Sequence, residues 1–396
     1  GLIVTVDTGI AAFEEIKYAA MLEIDVVVTD HHTCAERLPS CCAVVNPMRK
    51  DSEFPTRQLS GAGVAFKLVE AISQTVGIDE YIDYLPVAAI GTIGDSMPLL
   101  GENRIIAAVG MNMLQDSVFA GVRTTAHLAA GRDGHISARG IAFGIVPRIN
   151  AAGRMESAEC ALKLFLAESD EEAAECLGRL DELNGLRRKV ESEITVLACT
   201  EEHLLTGPES PVIAVMGDDW NHGVTGIVAS RLTERYGKPA VVFSGKEPDE
   251  NGRMITRASA RSVEGINIYK LLSGASDMML KFGGHEMAAG FTVYTEDVED
   301  TVRKICGCAV QLASGAPKVK SIYADCYLPQ ELINLENAEL LLKLEPFGNG
   351  NMPPVFVTDG FLYARANAVG DGKKHLKFRF GGERLDGGVV SGIAFG

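Results

Sequence analysis

The sequence predicts an α/β protein in four parts: a parallel-sheet domain over residues 1–169, a long connecting helix over 170–204, a smaller α/β domain over 205–316, and a C-terminal β region over 317–396. Three observations predict it. Short apolar runs at 2–6 and 25–29 flank a helical segment, and a second strand–helix–strand pattern follows at 212–243. Apolar residues recur at three- and four-residue steps from 170 to 203. After a Pro/Gly loop at 344–354 the pattern changes to strict alternation.

The first part is organised around Asp25-Val26-Val27-Val28-Thr29, which runs into Asp30-His31-His32. A short continuous apolar run reads as a strand buried on both faces, as in a parallel sheet. Leu2-Ile3-Val4-Thr5-Val6 reads as a second buried strand and ends in Asp7-Thr8-Gly9, with Ile10 to Leu22 helical in composition between the two. This is a right-handed βαβ unit. Ligands of open parallel sheets gather outside the carboxyl ends of the strands. Neighbouring strands are about 4.8 Å apart, so Asp7 and His31 can share an ion. Spacing alone equally allows Asp7 to cap the helix and the histidines to bond locally.

Bulk composition narrows the classes. A chain of 396 residues exceeds one ordinary core, and 46% hydrophobic with 23% charged residues is a globular composition. No run of eighteen uncharged apolar residues occurs, and the N-terminus is no signal peptide. Nine cysteines include no C-x-x-C pair, which argues against zinc, and their odd count argues against a disulfide framework. A reducing, cytoplasmic setting fits. The formal charge of −16 excludes an indiscriminate nucleic-acid binder, so any basic footprint is local.

Further along, Leu38-Pro39 and Val44-Val45-Asn46-Pro47 read as turn, short strand and turn. Leu59-Ser60-Gly61-Ala62-Gly63 opens a helix, its glycines serving helix packing or an anion at the helix N-terminus. Leu85 to Asp95 reads as an apolar helix ending in a carboxylate. The C-terminal dipole repels that charge, and a cation would remove the conflict. Phe143 to Met155 holds Arg148, Asn150 and Arg154 around small residues, either a phosphate cradle or a loop whose arginines pair with local acids. In the helical span from 170 to 203, about 50 Å if continuous, Asn184-Gly185 is the weak point.

In the second α/β part, Val212–Val215 and Ala240–Phe243 are strands joined by a glycine-rich turn and helix at 219–231. Trp220 is a candidate base-stacking residue, although a lone Trp more often sits in a core. Residues 251–281 carry five positive charges against two negative, an excess of three, around Ala258-Ser259-Ala260-Arg261-Ser262. Gly283-Gly284-His285 precedes small residues that are expected to open a tightly packed helix. In the last part, Lys374, Leu376, Phe378 and Phe380 share one strand face while His375, Lys377 and Arg379 share the other. The result is a half-buried strand with a basic face.

Asp30-His31-His32 with Val6-Asp7-Thr8-Gly9 upstream resembles the DHH family of metal-dependent phosphoesterases, and the downstream stretches resemble its RecJ type, the single-stranded-DNA-specific 5′→3′ exonucleases. The resemblance covers nearly the whole chain. It implies a DHH domain, a DHHA1 domain carrying Gly283-Gly284-His285, and a truncated C-terminal OB-like β-barrel. It implies Asp7, His31 and Asp95 as ligands of two Mn²⁺ or Mg²⁺ ions, which suit carboxylate oxygens and an imidazole. Asp30 would orient an imidazole and His32 would act on the scissile phosphate. Arg148, Asn150, Arg154, Ser259, Arg261 and the Gly-Gly-His stretch would hold substrate phosphates. Family members carry His directly after the Trp, where this chain has Asn221.

The resemblance further implies single-stranded DNA as substrate in DNA repair and recombination. It implies a single-strand-binding protein and a RecQ-type helicase as partners, a monomer, and no membrane. The family's earlier Asp-x-Asp element has no counterpart here, so the 396 residues are expected to be a fragment, incomplete at both ends and inactive alone. The competing readings are a phosphodiesterase for short oligoribonucleotides or cyclic dinucleotides, and a catalytically incomplete DNA-binding scaffold.

Overall fold

Strand β1 (Leu2–Val6) pairs in parallel with β2 (Asp25–Thr29), with Val6 opposite Thr29, and helix α1 (Phe13–Met21) makes the crossover. This computed structural model describes residues 1–131, 133–312, 322–382 and 388–395. Strand β3 (Ala43–Val45) adds to β2 in parallel, giving the order β1-β2-β3. Among the described residues β1 stands at the end of this sheet's order, with Leu2 64% and Val6 49% exposed. Only β2 carries the buried pattern, with Val26 and Val28 packed on Ile16 and Ala19 of α1. Helix α1 starts at Phe13, later than composition suggests, since the Ile10 N–H is bonded to the Asp30 carboxylate.

Helices α2 (Gly61–Val76), α3 (Leu85–Gly94), α4 (Gly101–Asn112) and α5 (Ala120–Ala129) follow, then a single turn α6 (Ala138–Gly140) and a π-turn at Ile141–Ile145. Ser60 caps α2, its Oγ accepting from Gly63 N–H. Leu59, Val64, Phe66, Ala88, Ala89 and Ile106 form the core beneath these helices. Each large aliphatic side chain buried there contributes roughly 1.5–3 kcal/mol.

The chain divides into two compact units, Gly1–Val146 with Lys320–Gly396, and Pro147–Val319. The second contains most of α7 (Val146–Met155), then α8 (Glu159–Leu166) and the 28-residue α9 (Asp170–Leu197). Asn184-Gly185 does not interrupt α9: Asn184 is buried and accepts from Arg187 Nη2 at 2.7 Å. The Ser169 cap and the acids Asp170, Glu171 and Glu172 in the first turn suit the positive end of the helix.

The sheet of this unit has the order β4-β5-β6-β8-β7, made of β4 (Ile213–Gly217), β5 (Ala240–Pro248), β6 (Met254–Arg261), β7 (Lys281–Gly284) and β8 (Ala288–Tyr294). β4 and β5 are parallel, joined by α10 (His222–Tyr236); the other pairs are antiparallel. Alternation along β4 and β5 divides two cores. Ile213, Val215, Ala240 and Val242 meet α9 and α10, while Ala214, Val241 and Phe243 meet α11 (Ile268–Ser273) and α12 (Val298–Leu312). Trp220 lies in the first of these, 8% exposed, with its ring 5.0 Å from that of His203. The residues after Gly-Gly-His do not open a helix, which corrects that expectation. They begin β8, and Gly284 turns the β7–β8 hairpin at φ 149°, where a Cβ would meet Ala288. Small residues favour close backbone approach in either element, so composition could not separate them.

The boundary expected at 316/317 lies outside the described residues. Beyond it, β9 (Cys326–Tyr327) pairs with β10 (Phe356–Val357), with α13 (Leu335–Leu342) between them. β11 (Leu362–Val369), β12 (His375–Gly381) and β13 (Val389–Ala394) form an antiparallel sheet. Among the described residues these strands do not close into a barrel. Phe378 and Phe380 stack at 5.5 Å and are half-buried, while Lys377 and Arg379 are exposed. Among the described residues no helix is long and apolar enough to cross a membrane.

Candidate functional site

The end of β2 is tied down before its side chains do anything. Thr29 Oγ1 donates to Thr5 C=O at 2.6 Å, and Asp30 N–H donates to Val45 C=O. The Asp30 side chain, 1% exposed, gathers its neighbours' hydrogens. Oδ2 accepts from Ile10 N–H at 3.0 Å; Oδ1 accepts from His31 N–H at 2.7 Å and His32 N–H at 3.1 Å, and faces His32 Nδ1 at 2.6 Å. Burial pushes this carboxyl's pKa up, but the Ile10, His32 and His31 donors outweigh it and hold it below its ordinary value. The His32 ring is thereby fixed through Nδ1, and among the described residues Nε2 has no hydrogen-bond partner. Asn46 fixes the backbone behind it, donating from Nδ2 to His32 C=O at 2.9 Å and accepting from Met48 N–H at 2.8 Å.

His31 points to two carboxylates. Its Nε2 is 2.9 Å from Asp7 Oδ1 and 3.6 Å from Asp95 Oδ2. Asp7 has φ 61°, a left-handed conformation that Asp tolerates better than most residues. Gly61, at the start of α2, packs against its carboxylate: a Cβ there would lie 2.4 Å from Asp7 Cγ and Oδ1. Asp95 ends α3, as the sequence suggests. Its pKa is raised, first by burial and then by Asp7, with His31 opposing.

One ligand atom each from Asp7, His31 and His32 lie within 4.8 Å of one another. Asp7, His31, His32 and Asp95 thus converge, and the two acids crowd one imidazole. That donor set of hard oxygens with imidazole fits Mn²⁺ or Mg²⁺.

A second cluster lies in the other unit, at the N-terminus of α10. Asn221 caps this helix, its Oδ1 accepting from Gly223 N–H at 2.8 Å. Arg154 Nη1 donates to Gly223 C=O at 2.8 Å, and Gly223 is needed there because a Cβ would meet Arg154 C=O at 2.3 Å. Arg261 lies over Gly226, and Ser259 Oγ is 2.9 Å from Thr225 Oγ1. Among the described residues neither Arg154 nor Arg261 has a carboxylate within ion-pair distance. The pKa of Arg261 is lowered by burial and then by Arg154, and that of Arg154 by burial and then by Arg187, with Glu191 opposing. Two guanidiniums thus converge on the N-terminus of α10.

Of the remaining candidates, Asn150 lies one turn before Arg154 on the exposed side of α7. Arg148 is instead bonded through Nε to Asp181 at 2.5 Å. Ser259 and Gly283 line a cavity that also takes in His222, Arg257 and Lys281. Gly284 and His285 lie in the hairpin turn outside that lining, and His285 is exposed. Sequence reasoning missed Asn46, Gly61, Thr225 and Gly226. Asn46-Pro47 carried a turn signal and Gly61 a helix signal, but nothing in either named the residue it touches.

Strand ends presenting Asp7 and the Asp-His-His triplet, together with a second α/β unit bearing a Gly-Gly-His hairpin, define a DHH protein with a DHHA1 domain. Family models match accordingly: "DHH family, N-terminal domain" over residues 1–92, "DHHA1 domain" over 209–311 and "RecJ OB domain" over 324–396. The single-stranded-DNA-specific exonuclease RecJ of Bacillus subtilis is 37% identical over 95% of this chain and 47% of its own length. That of Haemophilus influenzae is 34% identical over all of this chain and 70% of its own length. The crystal structure of RecJ from Thermus thermophilus in complex with Mn²⁺ superposes with a TM-score of 0.82 at 32% identity, covering 96% of this chain and 55% of that one. The chain belongs to the RecJ family. It spans about half the length of the Bacillus and Thermus relatives.

Proposed function

We propose that this chain carries the centre of a metal-dependent exonuclease that hydrolyses single-stranded DNA from the 5′ end and releases 5′-mononucleotides in DNA repair and recombination. The observation that carries the reading is His31 Nε2 set between the Asp7 and Asp95 carboxylates. Asp7, His31 and Asp95 would hold Mn²⁺ or Mg²⁺, two ions in the complete centre. Bound ions supply Lewis-acid stabilisation of charge developing on the phosphate.

The chain's own groups do the rest. Asp30 accepts from His32 Nδ1 and fixes the ring, so that Nε2 can donate to a phosphate or leaving oxygen. Arg154 and Arg261, with Ser259 beside the N-terminus of α10, take the 5′-terminal phosphate. Asn150 and the Gly283-Gly284-His285 hairpin contact neighbouring phosphates, and Arg148 joins them by exchanging Asp181 for the strand. Lys377 and Arg379 on the central strand of the last sheet offer the DNA strand a basic face. A cytoplasmic location, and a single-strand-binding protein and a RecQ-type helicase as partners, belong to the same reading through the family resemblance.

The test is an assay of the full-length protein with Mn²⁺ on 5′-phosphorylated single-stranded DNA, set against duplex, RNA and a cyclic dinucleotide. Release of mononucleotides from the single strand alone is expected. Equal cleavage of the cyclic dinucleotide would overturn the substrate assignment. Binding of the strand with no turnover under any divalent metal would favour a scaffold.

A further inference from the structure

Asp95 leads into a turn that is held from two sides, and α3 supplies the first: Ser96 N–H donates to Ile93 C=O and Met97 N–H to Thr92 C=O, each at 3.1 Å. Ser96, the next residue, has φ 55°, a strained left-handed conformation for a serine. The second side is the Pro/Gly loop at 344–351, in the same compact unit. Asn349 Nδ2 donates to Ser96 C=O at 2.9 Å, and Asn349 C=O accepts from Leu99 N–H at 2.7 Å. One asparagine therefore bridges both ends of the Ser96–Leu99 turn.

The loop is itself anchored and closed. Arg104 Nη2 donates to Leu344 C=O at 2.7 Å and Glu345 C=O at 2.9 Å, and His135 Nε2 lies 2.7 Å from Glu345 Oε2. Asn351 Nδ2 donates to Leu344 C=O and Pro346 C=O, and Gly348 and Asn351 exchange backbone hydrogen bonds. A segment that only tethered the C-terminal strands would not need a donor aimed at the carbonyl beside Asp95.

The geometry points to Asn349 as a positioning residue for the metal centre: by fixing the Ser96 turn it sets where the Asp95 carboxylate stands, so the C-terminal region contributes to metal affinity. This rests on the reading of Asp95 as a ligand. Linkage then requires the converse, that metal binding tightens the loop by a comparable factor.

The experiment titrates Mn²⁺ alone into the full-length protein, unsubstituted and with Asn349→Ala or Asp95→Asn, following free Mn²⁺ by electron paramagnetic resonance. Exchange of the Leu99 amide is measured with and without Mn²⁺. Asn349→Ala should weaken Mn²⁺ binding about fivefold, the size of one hydrogen bond. Mn²⁺ should slow exchange at Leu99 severalfold in the unsubstituted chain and leave it unchanged in Asp95→Asn. Unaltered affinity in Asn349→Ala overturns the proposal. If Asp95→Asn binds Mn²⁺ as the unsubstituted chain does, or if that chain binds none, the ligand reading itself fails. Should Asn349→Ala not fold, Leu99 exchange in the unsubstituted chain decides, and no response to saturating Mn²⁺ overturns the proposal.

Discussion

Gly61 lies so close to Asp7 that a single methyl group on it would stand 2.4 Å from the carboxylate carbon. The atoms it would meet are Cβ, Cγ and Oδ1 of the Asp7 side chain, so the carboxylate itself must move aside. Gly61→Ala should therefore displace Asp7 and weaken Mn²⁺ binding by about ten- to a hundredfold. Overpacking should cost about 1–3 kcal/mol of stability. Isothermal titration with Mn²⁺ and urea unfolding check the two parts, and an alanine variant with unaltered affinity would contradict the assignment of Asp7.

His31→Ala removes the imidazole shared by Asp7 and Asp95. Turnover in Mn²⁺ should fall to background, while the affinity for a single strand, held by arginines in the other unit, stays within about threefold, less than one ordinary hydrogen bond is worth. Single-turnover assays and fluorescence anisotropy separate the two effects. Undiminished turnover would rule out His31 as a ligand.

Arg261→Ala deletes one of the two guanidiniums at the start of α10. Affinity for a 5′-phosphorylated strand should drop about ten- to a hundredfold, as expected for one charge-assisted hydrogen bond. The 5′-hydroxyl strand should lose far less. Equal losses for both strands would show that Arg261 does not read the terminal phosphate.

His222 gives a pH dependence of known sign. Burial, then the Arg257 charge, push its pKa below the ordinary 6.5, with Glu247 opposing, and its Nδ1 is 3.2 Å from Ser244 Oγ. The unfolded chain takes up this proton first as pH falls. The stability due to the neutral ring is complete above the unfolded value and is lost as pH drops below it. Urea unfolding at pH 7.5 and pH 5 should thus show a smaller pH difference in His222→Gln than in the unsubstituted chain. An identical difference would exclude His222 as its source.

What the sequence disclosed depended on how local the signal was. The Asp25–Thr29 run, the α3 helix ending in Asp95 and the β4–α10–β5 unit each carry their pattern within a few residues, and all three form as expected. The convergence of Asp7 on His31 followed from strand adjacency. Contacts between distant segments left no such trace. Nothing near Arg154 announces Arg261, and nothing near Ser96 announces Asn349. The misreading is of one kind: Ala288-Ala289-Gly290 has small residues that suit helix and hairpin alike. Neighbours decide such cases, and one sequence does not name them.

The left-handed backbone at Asp7 narrows the alphabet available there. Few residues accept that region without strain, chiefly glycine, asparagine and aspartate. Glycine brings no donor oxygen, and asparagine brings one without its charge. Aspartate alone satisfies both shape and charge, so drift at this position has almost nowhere to go.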